Sequence, residues 1–319
     1  MKADAYGHGM KEVVSALSGK ADYFGVHSVD EGVSLRTIDR HTPVLVFAAD
    51  AKDAERGIES GLTLTVSDEE FAKTAIFAAK KLRRGVKIHI AVNSGMNRFG
   101  FSDFCEFQRT LEYLKGETLA DVTGIYSHFH TDNVQMMLSQ RDIFDRYVQR
   151  TKDIYPDAIS HISATSGIKN FAAAYDMSRL GIGLYGVGLQ NARKAMSVTS
   201  SIAVIRRVQK GGYVGYSCQY RAERDITVAV VYGGYADGIL RAFTGGYVSI
   251  RGKRAEIIGS IAMDVFFVDV TDVEGASVGD SVVIIGDNVS VESAAENAGT
   301  IPYEIMTSFH GRIVREYER

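Results

Sequence analysis

The chain has 319 residues, 45% of them hydrophobic and 24% charged, which is enough for a full core in one large domain or two ordinary ones. A formal net charge of −3 gives no basis for nucleic-acid binding, and pairs such as Lys80-Lys81 and Arg83-Arg84 read as the solvated end of a helix. No apolar run approaches the ~20 residues of a membrane-spanning helix, the first residues do not resemble a signal peptide, and the two cysteines, Cys105 and Cys218, lack a metal-ligand spacing, which predicts free thiols in a cytoplasmic chain without a metal site.

The chain opens on Lys2-Ala3-Asp4-Ala5-Tyr6-Gly7-His8-Gly9. A lysine ahead of a glycine-rich turn is placed to hold an aldehyde cofactor as a Schiff base, and the tyrosine and glycine backbone can hold that cofactor's phosphate. From Gly9 a helical pattern puts Val13, Val14 and Leu17 on one face. Apolar runs at 23–27, 43–47, 62–66, 86–92, 122–126, 158–163 and 178–185 then alternate with helical patterns. Ser67-Asp68-Glu69-Glu70 carries the spacing of a capping box before a helix through Lys81. With a strand ending at Lys2 the runs number eight, which predicts an α/β chain whose residues 1–196 form a (β/α)8 TIM-type barrel with its first strand missing or truncated. Past Met196 the pattern becomes β-rich, with runs at 202–208, 227–232, 247–251, 255–261, 265–270 and 281–285, and a short helix at 292–298. Turn signals such as Lys210-Gly211-Gly212 and Gly286-Asp287-Asn288 bound these runs, predicting a mostly antiparallel β domain over 197–319.

Barrel active sites gather at the C-terminal ends of the strands. Lys2 and Tyr6 follow the first. Met96-Asn97-Arg98-Phe99-Gly100 follows 86–92, and Ser127-His128-Phe129-His130 follows 122–126. Ser163-Ala164-Thr165-Ser166-Gly167 closes the next strand, and Arg179-Leu180-Gly181-Ile182 lies on the last. The hydroxyls, arginines and glycine amides suit a phosphate dianion, while neither a Walker motif nor a Rossmann fingerprint is present. His8, His130 and His161 read as structural, and Tyr126, Tyr185 and Tyr216 as wall or core residues.

The opening octapeptide resembles the cofactor-lysine motif of the alanine racemase family, fold-type III pyridoxal-phosphate enzymes. Gly95-Met96-Asn97-Arg98-Phe99-Gly100, Arg179-Leu180-Gly181-Ile182-Gly183-Leu184-Tyr185-Gly186, Val214-Gly215-Tyr216, Gly234-Tyr235-Ala236-Asp237-Gly238 and Met263-Asp264 follow it in the order of that family. The resemblance spans essentially the whole chain. It implies pyridoxal 5'-phosphate held on Lys2, with Lys2 and Tyr235 as two bases on opposite faces of the substrate, Tyr235 coming from the partner in a homodimer. Lysine and tyrosine side chains titrate near ~10 in water, so neighbouring cations, the cofactor and His128 are expected to tune such a pair for neutral pH. Arg179 would face the cofactor's ring nitrogen and stay protonated, and His128 would bond Arg179 or Tyr235. Tyr6, Thr165 or Ser166, Gly181 and Ile182 would bind the phosphate, Arg98 the cofactor phenolate or the carboxylate of the amino-acid substrate, and the backbone of Met263 that carboxylate. The implied activity is interconversion of L- and D-alanine, the route to D-alanine for the cell wall. Serine racemisation, or a truncated and inactive pyridoxal-phosphate-binding chain, are the alternatives.

Three departures from the family pattern carry expectations. The few dozen residues that usually precede the lysine motif are not in this sequence, so the strand that should hold Lys2 is expected to be absent. Ala91 stands where the family often has a carbamylated lysine, so Arg98 is expected to be held by Asn93 or an anion. An ungapped reading puts Gly311 at the family's phosphate-binding tyrosine, which predicts a wider pocket and admits serine.

Overall fold

The computed structural model describes residues 1–171 and 175–318. Two compact units divide it: Met1–Ala5, Met10–Leu184 and Gly188–Asn191 form the first, and Tyr6–Gly9, Tyr185–Val187 and Ala192–Arg319 the second.

The first unit is built on six parallel strands in sequential order: β1 (Phe24–Val26), β2 (Val44–Val46), β3 (Thr63–Val66), β4 (Val86–Ala91), β5 (Ala120–Tyr126) and β6 (Ile159–His161). Parallel neighbours need crossovers, and the helices at Val29–Arg36, Ala54–Glu59, Glu69–Leu82, Phe104–Lys115 and Val134–Lys152 supply them. The two faces of the sheet differ by the strand's period of two. Val44, Val46, Leu64, Val66, Ile88 and Ile90 share one core with helix residues such as Leu35, Ile76, Leu111 and Phe144. Each such side chain is worth roughly 1.5–3 kcal/mol when fully buried. The alternate positions turn the other way, and there Thr63, Thr65, His89, Tyr126 and His161 are also buried. A polar inner face on a parallel sheet has to be hydrogen-bonded to be tolerated.

The helix after β3 begins one residue later than the capping-box spacing suggests. Asp68, not Ser67, caps it, its carboxylate accepting from Phe71 N at 2.7 Å. An ionised oxygen is the stronger acceptor, and Ser67 Oγ donates to that same carboxylate. One expected strand is not laddered. Residues 178–185 end in a 3-10 turn at Ile182–Tyr185, since Gly181, Gly183 and Gly186 weaken a strand. The segment still flanks β6, with Met177 N donating to Ser160 O and Arg179 N to Ser163 O. At the other edge Met1 N donates to Gly25 O at 2.6 Å, and the chain turns at once.

In the second unit, β7 (Val198–Val208), β10 (Ile226–Tyr232), β11 (Tyr247–Ile250), β12 (Lys253–Ile258), β13 (Val265–Asp269) and β14 (Ser281–Ile285) close a barrel in the order β10-β13-β12-β11-β14-β7. Its neighbouring strands pair antiparallel. The short strands β8 (Tyr213–Val214) and β9 (Tyr220–Arg221) form a separate hairpin. Val248, Ile250, Phe266, Val268 and Val282 fill the barrel. Helices at Val291–Asn297 and Pro302–Ser308 follow. Among the described residues no helix is long and apolar enough to cross a membrane, and no group of His, Cys, Asp or Glu has the arrangement of a metal site.

Candidate active site

Lys2 opens a left-handed turn. Ala3, Asp4 and Ala5 have φ of 52°, 51° and 55°, and Ala5 N closes the turn on Met1 O at 2.9 Å. Side chains hold it from both ends: Ala3 N donates to Glu31 Oε1 at 2.7 Å, and Asp4 Oδ1 accepts from Met10 N at 2.7 Å. Consecutive L-residues in this region are strained, and strain of this kind collects at functional sites.

Arg179 is the best-anchored side chain of the first unit's candidates. Its Nη1 donates to His161 Nδ1 at 2.5 Å and to His161 O at 3.2 Å; its Nη2 donates to Ser127 O at 2.7 Å, His128 Nδ1 at 3.0 Å and Ile162 O at 3.1 Å. All five acceptors are neutral. The guanidinium also lies 5.4 Å from the centroid of the Tyr126 ring. Burial, then the charges of Arg179, Arg98 and Lys2, push the His128 imidazole down to about 3. His128 is half-buried and 3.0 Å from Arg179 Nη2, and the charges of Arg98 and Lys2 act on it in the same direction.

Arg98 sits on a loop whose backbone Asn93 organises. Asn93 Oδ1 accepts from Gly95 N at 3.1 Å and Asn97 N at 2.9 Å, and its Nδ2 donates to Asn97 Oδ1 and Ser102 Oγ. Asn93 thus fixes the loop, not the Arg98 guanidinium as expected. At the end of β6, Thr165 Oγ1 accepts from Gly183 N at 3.1 Å, which ties the 165–166 hydroxyls to the segment holding Gly181 and Ile182. Ser163 Oγ is buried nearby and has no hydrogen-bond partner among the described residues.

The second unit carries the remaining candidates. Tyr235 starts a 3-10 turn whose N–H donates to Ala262 O at 3.0 Å, and Ala236 N donates to Met263 O at 3.1 Å. Tyr235 and Met263 are thereby neighbours, 45% and 53% exposed. Gly238 closes the turn at φ 90°, where a Cβ would stand 2.1 Å from Ser308 O, so the close approach requires glycine. Arg312 clamps the two loops. Its Nε and Nη2 reach Asp237 at 3.0 and 3.1 Å, and Nη2 reaches Asp264 at 2.7 Å. Neither Arg312 nor Tyr303 was selected from the sequence. Tyr303 places its ring 6.0 Å from that of Tyr6, while Tyr185 lies 5.7 Å away. Gly311 lies instead against the Tyr235 turn, an added Cβ standing 3.8 Å from Ala236 O. A ring is therefore present beside Tyr6. A Pro-Tyr-Glu helix start at 302–304 was the available signal for Tyr303.

Comparison with known proteins agrees along the whole chain. The family model described as alanine racemase, N-terminal domain, matches residues 1–188, and that described as alanine racemase, C-terminal domain, matches 195–317. Alanine racemase 2 of Caldanaerobacter subterraneus subsp. tengcongensis is 32% identical over 336 residues, covering 99% of this chain and 87% of that protein. The crystal structure of alanine racemase from Bacillus anthracis with bound L-Ala-P superposes with a TM-score of 0.89 at 30% identity, over 97% of this chain and 84% of that one. The alanine racemase from Bartonella henselae with covalently bound pyridoxal phosphate gives 0.91 at 26% identity, over 99% and 91%.

Proposed function

The chain belongs to the alanine racemase family, and from that premise we propose that it racemises alanine with Lys2 and Tyr235 as its two bases. The enzyme class is that of a pyridoxal-phosphate-dependent alanine racemase, an isomerase.

The residues present fit the cofactor. The hold on Arg179, whose guanidinium meets His161 Nδ1, His128 Nδ1 and three backbone carbonyls, carries this reading, because it fixes a permanent donor where the ring nitrogen would lie. Arg179 brings a positive charge beside half-buried His128, and a ligand with a phosphate and a carboxylate is complementary to that charge and to the exposed Lys2 and Arg98. The partnerless, buried Ser163 hydroxyl is a further group awaiting a ligand or water. Bound there, pyridoxal phosphate supplies a conjugated ring that takes up the electron pair left when the substrate Cα loses its proton. Lys2 would hold the aldehyde carbon until the substrate amine takes its place there, and its released amine would then move a proton at one face of Cα. Tyr235 would serve the other face, because inversion requires that a proton leave one side and return on the opposite one. Arg179 would meet the ring nitrogen with a donor it does not give up. Thr165, Ser166, Gly181 and Ile182 would hold the phosphate together with Tyr6. Arg98 and the Met263 backbone would orient the substrate carboxylate. Tyr235 would reach this set from the partner chain of a homodimer.

The test is deuterium wash-in at Cα, read separately for L- and D-alanine, after an absorbance scan has established cofactor loading. Tyr235→Phe should keep exchange with one enantiomer and lose it with the other. Parental racemisation of both by Tyr235→Phe would remove the assignment.

A further inference from the structure

The inner face of the first unit's sheet carries two imidazoles in series behind Arg179. Arg179 Nη1 meets His161 Nδ1 at 2.5 Å, and His161 Nε2 meets His89 Nδ1 at 3.0 Å. They bridge two strands that are not adjacent. The register puts Gly124 of β5 beside His89 of β4, with Ile159 of β6 on its other side and His161 two residues further along β6. Only a residue without a side chain leaves that space: a Cβ on Gly124 would stand 2.6 Å from His89 Nε2.

The hydrogen-bond direction in this series has one solution. A guanidinium only donates. His161 Nδ1 must therefore present a lone pair, and a neutral His161 carries its proton on Nε2. That N–H faces His89 Nδ1, which must accept in turn, so His89 also carries its proton on Nε2. His89 Nε2 is buried, with no partner among the described residues. An imidazolium at His161 would set two cations 2.5 Å apart, so the neutral form is the compatible one. The titratable and charged groups facing the pair are Arg179, Tyr126 and Tyr23. Tyr126 stacks on His161 with centroids 5.2 Å apart and donates to or accepts from Thr65 Oγ1, and Tyr23 tilts against His89 at 5.4 Å. Burial first, then Arg179, holds both imidazoles well below the usual histidine range.

We propose that His161 and His89 are positioning residues for the racemisation, a one-way series of neutral imidazoles, each protonated on Nε2, that fixes the plane of the Arg179 guanidinium. The proposal rests on the reading of Arg179 as the partner of the cofactor's ring nitrogen. Without His161 Nδ1, only the 3.2 Å bond to His161 O remains among those described for Nη1, so the Nη1 edge loosens while Nη2 keeps its three acceptors and the guanidinium plane can tilt about them. His89 acts one step further back, by keeping the His161 proton on Nε2 and its Nδ1 lone pair turned to Arg179.

Nitrogen-15 NMR of histidine-labelled protein, with and without cofactor, reads the tautomers directly. Both rings should be neutral Nε2–H forms from pH 6 to 9; a proton on Nδ1 of either, or an imidazolium at pH 6, overturns the proposal. His161→Leu should lower kcat by about tenfold, with KM for alanine within about twofold, and should shift the absorbance of the bound cofactor. His161→Asn, which keeps an acceptor at the Nδ1 position, should restore the absorbance and most of kcat. A folded His161→Leu protein with parental kcat and absorbance overturns the proposal. Should that variant not fold, His89→Leu serves: it should give mixed tautomers at His161 and a smaller loss of kcat, and unchanged tautomers count against the series. If the parent protein neither loads cofactor nor racemises, the role of Arg179 fails, and the tautomer result stands apart from it.

Discussion

At the scale of single residues, the backbone after Lys2 and the side chain of Arg312 carry the sharpest consequences. L-residues in the left-handed region cost roughly 1–2 kcal/mol each, and Ala3 holds φ 52° with an exposed side chain that gives nothing back in packing. Ala3→Gly should therefore raise the unfolding free energy by about 1 kcal/mol in urea titrations; an unchanged midpoint would mean that the turn is not strained. Arg312 holds Asp237 and Asp264, and through them the loops of Tyr235 and Met263. Arg312→Met should lower kcat by about tenfold while cofactor absorbance stays parental, since the clamp acts on the proposed second base and not on the cofactor. Parental turnover would show that the 3-10 turn at Tyr235 holds itself.

At the scale of elements, Gly124 and His89 form one unit of packing. Gly124 has an ordinary negative-φ strand backbone, so Gly124→Ala is conformationally permitted and acts only by driving a methyl into the imidazole. It should destabilise the fold by about 1–3 kcal/mol, and the same change made on His89→Ala should cost far less. Equal penalties in both backgrounds would show that the ring is not the obstacle. The elements themselves were largely readable. Runs of alternating apolar residues gave β1 to β6 and the six barrel strands, because burial on a pleated sheet imposes that period. The 178–185 segment misled, since its leucines and isoleucine match a strand while its glycines allow the 3-10 turn that forms. His161 was read as structural, and His89 was not singled out. Their meeting depends on the register of three strands and on the empty place at Gly124, and neither is encoded within either strand. Tyr303 was missed for the related reason that a helix start, and not a loop motif, delivers its ring to Tyr6.

At the scale of the whole molecule, the depressed histidines set how stability depends on pH. His89 and His128 titrate near 3 in the folded protein because of burial, with Arg179 the next cause in each. Unfolded, a histidine titrates near ~6.5. Between those values the unfolded chain binds protons that the folded chain refuses, so stability rises with pH. This contribution is complete above about 6.5 and is lost as pH falls towards 3, at up to ~1.4 kcal/mol per pH unit for each ring. Asp39 adds to acid lability only lower down: hydrogen bonds from Thr42 N, His41 N and Ser18 hold its carboxyl below the usual range, so its contribution goes below about 4. Urea midpoints should therefore fall already between pH 6 and 5, and His89→Asn should flatten that part of the curve. A flat parental curve over that interval would mean the rings are charged in the fold. The dimeric reading has its own test. Lys2→Ala and Tyr235→Phe chains, each inactive alone, should regain about a quarter of parental activity when unfolded and refolded together, because half of the dimers are mixed and each carries one intact site. No recovery would place both bases in one chain.

The empty place at Gly124 also has a consequence for descent. A methyl gained there on its own meets the ring of His89, and a ring lost at His89 on its own strips His161 of its acceptor. Across related sequences the positions of Gly124, His89 and His161 should therefore vary together or not at all, although they lie on three different strands. A lineage that has shed the two imidazoles is the one in which a larger residue can settle at the glycine.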